Sequence, residues 1–184
     1  MPIRPDLLLA HDFPEAHQRY SKRDTILYAL GVGLGRDPHD LPYLLEDRLR
    51  ALPTFAVTLG SPGMWIRAPQ FGVDYAKLVH YEQAAQFHVR LPPEGEIVSS
   101  ARVVSVADRG EGRGAVVVVE RKIRDAAIET NYCTLRQTLM LRGDGGFGGS
   151  PPPREASVTD TPSISATFSS ASAWSAGRRR VIAF

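Results

Sequence analysis

Two short stretches carry the residue types that proton transfer uses. Gly35-Arg36-Asp37-Pro38-His39-Asp40 sets one imidazole among carboxylates, and Leu78-Val79-His80-Tyr81-Glu82 sets another two residues from a glutamate. A carboxylate and an imidazole around one water is an arrangement that general acid–base chemistry exploits. Asp37 with His39 is therefore a conceivable dyad, but its surroundings read as a polar loop with two prolines. His80 and Glu82 read as polar residues at a strand start, Arg109 as a turn cation and Glu46 as a solvated charge at a helix start. The lone cysteine, Cys133, rules out an intrachain disulfide and a Cys-based metal cluster, and falls inside a strand pattern as a small core residue. Gly31, Gly33 and Gly35 spell G-x-G, but they close a helix instead of linking a strand to one, which is not the dinucleotide arrangement.

The elements that must position these groups follow from pattern. Leu52–Leu59 is apolar on nearly every side, opens with Pro53 at a first helical turn and is stopped by Gly60-Ser61-Pro62-Gly63. A short helix of that kind must be wrapped by something. Ser21 and Asp24 form a capping-box-like start to an earlier helix, whose apolar face is expected at Ile26, Leu27, Leu30 and Leu34. The second half reads as four strands, at Gln83–Leu91, Ile97–Ala107, Ala115–Arg124 and Ile128–Leu141, joined by tight turns. The valine run 116–119 suggests a central strand covered on both faces. The expected fold class is α+β: a helix wrapped by an antiparallel sheet.

The 184 residues suffice for one ordinary domain, and 22 basic against 20 acidic residues make no field that implies nucleic acid. No apolar run reaches the roughly 18 residues of a membrane-spanning helix, and Leu7–Ala10 is too short for a signal-peptide core. A cytoplasmic protein is the default expectation. Residues 1–19 read as an N-terminal arm, 20–143 as the folded domain, and 144–155 as a Gly/Pro linker. Residues 156–184, rich in Ser, Thr and Ala, read as a disordered tail with the composition of a chain read out of frame.

Several segments together resemble the N-terminal half of MaoC-like, (R)-specific enoyl-CoA hydratases of the hydratase 2 type. They are Tyr28-Ala29-Leu30-Gly31-Val32-Gly33, Leu52-Pro53-Thr54-Phe55, Leu78–Gln83, Leu91-Pro92 with Gly95, Asp108-Arg109-Gly110, and Gly145-Gly146-Phe147-Gly148-Gly149. They occur in family order over about residues 20–150. The resemblance implies a single hot-dog domain acting on acyl-CoA or enoyl-CoA thioesters in fatty-acid or sterol side-chain β-oxidation, peroxisomal in a eukaryote. It implies no cofactor and no metal. It places substrate contacts at Glu46, His80, Tyr81 and Arg109, with Arg109 available to a CoA phosphate and Tyr81 standing where the family usually has Gly.

The family's catalytic Asp and His belong to a second, C-terminal repeat. Laid over Gly35–Asp40 on the proline, that motif meets Gly35 at the Asp position and Asp40 at the His position, so no catalytic residue is expected here. The chain is then expected to be inactive alone and to pair with itself or with another MaoC-like chain through its hot-dog surface. A thioesterase with Glu82 or Asp74 as base is a further, less favoured reading.

Overall fold

The computed structural model describes residues 2–149 and, as backbone, Arg180–Ala183. Five strands span the described core: β1 (Ala16–Tyr20), β2 (Leu78–Phe87), β3 (Gly95–Asp108), β4 (Ala115–Asp125) and β5 (Asn131–Leu141). With β6 (Arg180–Ala183) they form one antiparallel sheet in the order β1-β3-β4-β5-β2-β6. Two α-helices precede the long strands, α1 (Pro5–Leu9) and α2 (Lys22–Gly31). The expected α+β class holds. The linker expectation beyond Gly149 and the tail expectation for 156–179 lie outside the described residues.

The central apolar segment is a helix of 3-10 type, Pro53–Thr58, ended by Leu59 and a left-handed Gly60 (φ 56°). Its Phe55 and Ala56, with Leu59, pack onto Ala85, Ile97, Ile123, Cys133 and Leu135 from four strands. A second cluster fills the other end of the same sheet face: Val103, Val117, Val119, Leu139 and Leu141 meet Ile3, Leu8, Phe13, Ile66 and Phe71. The N-terminal arm is thus tied down by Leu8, fully buried, and by His11, whose ring stacks on Trp65 at 5.1 Å between centroids. Arg121 sits on β4 between the two clusters and donates Nη2–H to the Val57 carbonyl at 2.7 Å, which pins the end of the central helix to the sheet.

Three expectations shift in detail. β2 begins at Leu78 and ends at Phe87, because the N–H groups of His88 and Val89 both turn to the Tyr132 carbonyl and end the ladder there. The outer face of β4 is only half covered: Val116 and Val118 are half-buried, and beyond them Glu120 is clamped by Arg102 at 2.8 Å and Arg136 at 2.9 Å. Burial alone would raise the Glu120 pKa, but those two guanidinium hydrogen bonds outweigh it and the net shift is downward.

Helix α2 carries the capping box, with the Ser21 N–H donating to Asp24 at 2.8 Å. It docks through small residues, however. Thr25 donates Oγ1–H to the Pro93 carbonyl at 2.7 Å and Ala29 is buried, while Leu27 and Leu30 face outward, 52% and 49% exposed.

Candidate functional site

One end of the sheet gathers the chemistry. The register pairs Asp108 with Ala115, Ala115 with Leu141 and Leu141 with Leu78. The β3–β4 turn, the exit of β5 and the entry of β2 therefore meet at that end. Between them opens a cleft of about 380 Å³ lined by Val79, Tyr81, Arg109, Gly112, Arg113, Met140 and Arg142. Two of the four residues singled out from sequence, Tyr81 and Arg109, are brought together here.

Tyr81 reaches the cleft because it is the extra residue of a β-bulge. His80 pairs with Leu139 and Glu82 with Thr138, adjacent residues of β5, which leaves Tyr81 unpaired and its ring 59% exposed. A bulge re-aims a side chain at a sheet edge, and here it presents a phenol to solvent. His80 pairs opposite the buried Leu139, whereas Val79 pairs opposite Met140, so strand alternation turns His80 to the face opposite the cleft. Its Nε2 lies 3.1 Å from the Glu82 carbonyl and its Nδ1 3.4 Å from the Gln137 amide nitrogen. A carbonyl only accepts, so Nε2 is the ring nitrogen that donates there. Glu82 accepts from the Thr138 hydroxyl at 3.4 Å.

Beside His80 on that inner face is a small cavity of about 20 Å³, lined by Pro62, Gln83, Val119, Arg121, Leu135 and Gln137. That space suits a single water among polar side chains.

The turn holding Arg109 and Arg113 is rigidly supported. Asp108 accepts N–H groups from Gly110 and Gly146 on Oδ1, both at 2.8 Å, and from Gly148 on Oδ2 at 2.7 Å. These donors, Gly146 first, hold the Asp108 pKa below the usual carboxylate value. The Gly145–Gly149 run therefore folds back against the turn, with Gly145 so close to the Gly110 and Gly114 backbone that no side chain would fit. Asp144, buried nearby, has its pKa raised by desolvation, with a smaller opposing effect from the N–H of Asp74.

The cleft is electropositive. Among the described residues the ion pairs use Arg19, Lys77, Arg102, Arg124 and Arg136, and none places a carboxylate within 4.0 Å of Arg109, Arg113 or Arg142. Arg109 instead donates Nη1–H to the Met140 sulfur at 3.4 Å. Sequence reasoning does not reach Arg113 and Arg142. Their signal is topological: one lies in the turn of Arg109, and the other directly follows the strand end that pairs with the residue closing that turn.

Glu46 is not brought to either place. It stands exposed on a one-turn 3-10 helix, Glu46–Arg48, and its backbone carbonyl is 3.5 Å from Lys22 Nζ. The 35–40 loop is a capping structure. Asp37 accepts the His39 N–H at 2.8 Å, and Asp40 accepts from Gly35 at 2.8 Å, Asp37 at 3.2 Å and Arg36 at 3.3 Å. The Gly35 N–H foremost holds the Asp40 pKa down. Asp74, the other carboxylate suited to hydrolytic base chemistry, is ion-paired to Lys77 at 3.1 Å. Among the described residues no group of three or more His, Cys, Asp or Glu is arranged to hold a metal, and no helix is long and apolar enough to cross a membrane.

Comparison with known proteins agrees with this architecture. The chain is 34% identical over 158 residues to the peroxisomal enoyl-CoA hydratase 2 of Arabidopsis thaliana, covering 80% of this chain and 50% of that protein. It is 35% identical over 134 residues to the 3-hydroxyacyl-thioester dehydratase Y of Mycobacterium tuberculosis, covering 71% and 45%. The crystal structure of a MaoC-like dehydratase from Phytophthora capsici shares the fold, with a TM-score of 0.64 at 23% identity over 80% of this chain and 52% of that one. The chain spans about half the length of the curated relatives it matches. Residues 18–143 match the model of the MFE-2 hydratase 2 N-terminal domain, and the chain belongs to that hot-dog family.

Proposed function

We propose that this chain is the substrate-holding, N-terminal half of an (R)-specific enoyl-CoA hydratase or 3-hydroxyacyl-CoA dehydratase acting in fatty-acid or sterol side-chain β-oxidation. In that reaction a base takes a proton from water as its oxygen bonds to C3 of a trans-2-enoyl thioester, and an acid returns a proton to C2. The acid–base pair belongs to a second hot-dog unit, and this unit holds the thioester.

One observation carries the division of labour. Both carboxylates of the 35–40 loop are engaged by backbone N–H groups, and His80 bonds to a carbonyl and an amide. Among the described residues, then, no imidazole is hydrogen-bonded to a carboxylate. The pairing half of the reading is supported by exposed aliphatic residues at Leu27, Leu30, Val32, Leu41 and Leu45, since clustered exposed apolar side chains favour association.

The test is hydration of a medium-chain trans-2-enoyl-CoA by the purified 184-residue chain, alone and mixed with a MaoC-like unit that carries the catalytic Asp and His. No turnover alone and turnover on mixing are expected. Turnover by the chain alone, abolished by His39→Ala or Glu46→Gln, would overturn the proposal.

A further inference from the structure

The core sheet ends in β1 on one side and β2 on the other, and the two are protected differently. β1 is short, five residues with three of them exposed, and offers little for another strand to pair with. β2 is ten residues long and carries Ala85, buried in the cluster around the central helix, with Phe87 packed on it. β5 takes one side of its backbone, from Leu78–Leu141 to Phe87–Cys133, so alternate N–H and C=O groups point away on the other side. A strand of that length with a bare edge is a template for a second sheet.

Two features divide that edge between them. In its first half the irregularity between His80 and Glu82 breaks the ladder, and a bulge twists an edge away from further pairing. Beyond it the register runs unbroken from Glu82 to Phe87, and there β6 lies antiparallel against β2, from Ala84–Ala183 to Phe87–Arg180. The covered residues are thus the regular stretch that joins the central cluster. Arg180-Val181-Ile182-Ala183 centres on two β-branched residues, the types that favour strands. Residues 150–179 would reach about 100 Å if fully extended, against a breadth of roughly 40 Å for a domain of this size, so the same chain can supply the strand. A strand tethered in this way competes at an effective concentration that separate copies do not reach when dilute.

We propose that β6 is an intramolecular plug: it satisfies the outward backbone of Ala84–Phe87 and keeps this edge from pairing with the same edge of a second copy. Four residues make a weak ladder, so the plug is exchangeable, and opening it exposes a strand-accepting surface beside the central cluster. Such a surface takes an extended segment through main-chain hydrogen bonds. The plug follows from backbone register and is independent of what the domain binds.

The test is amide hydrogen exchange, read residue by residue by NMR on the full 184-residue chain across a concentration series. Alternate N–H groups of Ala84–Phe87 face β6, and these are expected to be protected in the parent at every concentration. Val181→Pro with Ile182→Pro removes a ladder donor whichever of the two adjacent residues faces β2. In the dilute variant those amides should exchange about tenfold faster or more, while the β2 amides facing β5 stay protected and verify the fold. Val181→Ile with Ile182→Val keeps the ladder and should match the parent. Raising the concentration of the proline variant should restore protection at Ala84–Phe87 as copies pair edge to edge, a readout that association through Leu27 and Leu30 would not move. A dilute proline variant as protected as the parent would overturn β6 as the occupant. Protection that falls on dilution of the parent would show that a second copy supplies the strand, and would overturn the intramolecular plug. A proline variant unprotected at every concentration would overturn the restraint on edge pairing.

Discussion

Asp108 shows how one carboxylate can organise a site without touching a ligand. Its two oxygens collect N–H groups from the turn that carries Arg109 and Arg113 and from the glycine run that follows β5. Because these donors favour the ionised form, its folded pKa lies below the unfolded value near 3.8. The sign follows directly: the charge stabilises the fold above that unfolded value, and the contribution is lost as pH falls through the folded one. Asp108→Asn should therefore lower the urea midpoint at neutral pH, with the gap to the parent protein closing below about pH 4. Urea titrations at a series of pH values check this, and a gap that persists unchanged into acid would show that the charge is not what holds the turn. Sequence shows Asp108 only as a member of a turn. Its acceptors are filled by residues 38 and 40 positions later, a pairing no local pattern contains.

At the scale of elements, legibility tracks local periodicity. β5 is visible because its inward residues alternate with mostly polar ones, β4 because of its valine run, and the capping box of α2 because all its members lie within one turn. β1 is not visible: it has five residues, three of them exposed, and it exists because its backbone pairs with β3 from Ala16–Ser99 to Tyr20–Gly95. The buried face of α2 departs from its hydrophobic pattern, since tight docking needs small Thr25 and Ala29 where hydrophobicity points to leucines. The stop of the central helix is legible, and the structure adds why only glycine serves there. Gly60 takes a left-handed φ of 56°, and an added Cβ would overlap the Ser99 side chain on β3. Gly60→Ala should thus cost about 1–3 kcal/mol, combining backbone strain with displacement of the helix end from the sheet. Equilibrium urea unfolding measures this directly. A neutral result would mean that the 60–63 loop can shift off β3 freely, so that the central helix is not fixed by it.

For the whole molecule, the question is what a hot-dog unit with an outward aliphatic face does on its own. Leu27 and Leu30 project from α2, with Val32 at its cap and Leu41 and Leu45 beyond, each about half exposed. Burying a side chain of this kind against a partner is worth roughly 1.5–3 kcal/mol when complete, so several together can drive association of modest affinity. Their removal should cost the monomer little, because half of each side chain already faces water and the helix is held by Thr25, Ala29 and its cap. The 184-residue chain should therefore self-associate in sedimentation velocity at high concentration. The double variant Leu27→Glu, Leu30→Glu should shift it toward monomer while its urea midpoint stays within error. The same variant should bind a MaoC-like partner less tightly if the two associations share this surface. Monomeric parent protein would remove α2 as a self-pairing face. Association untouched by the glutamates would equally remove it, since two buried charges without partners are too costly for an apolar interface to absorb.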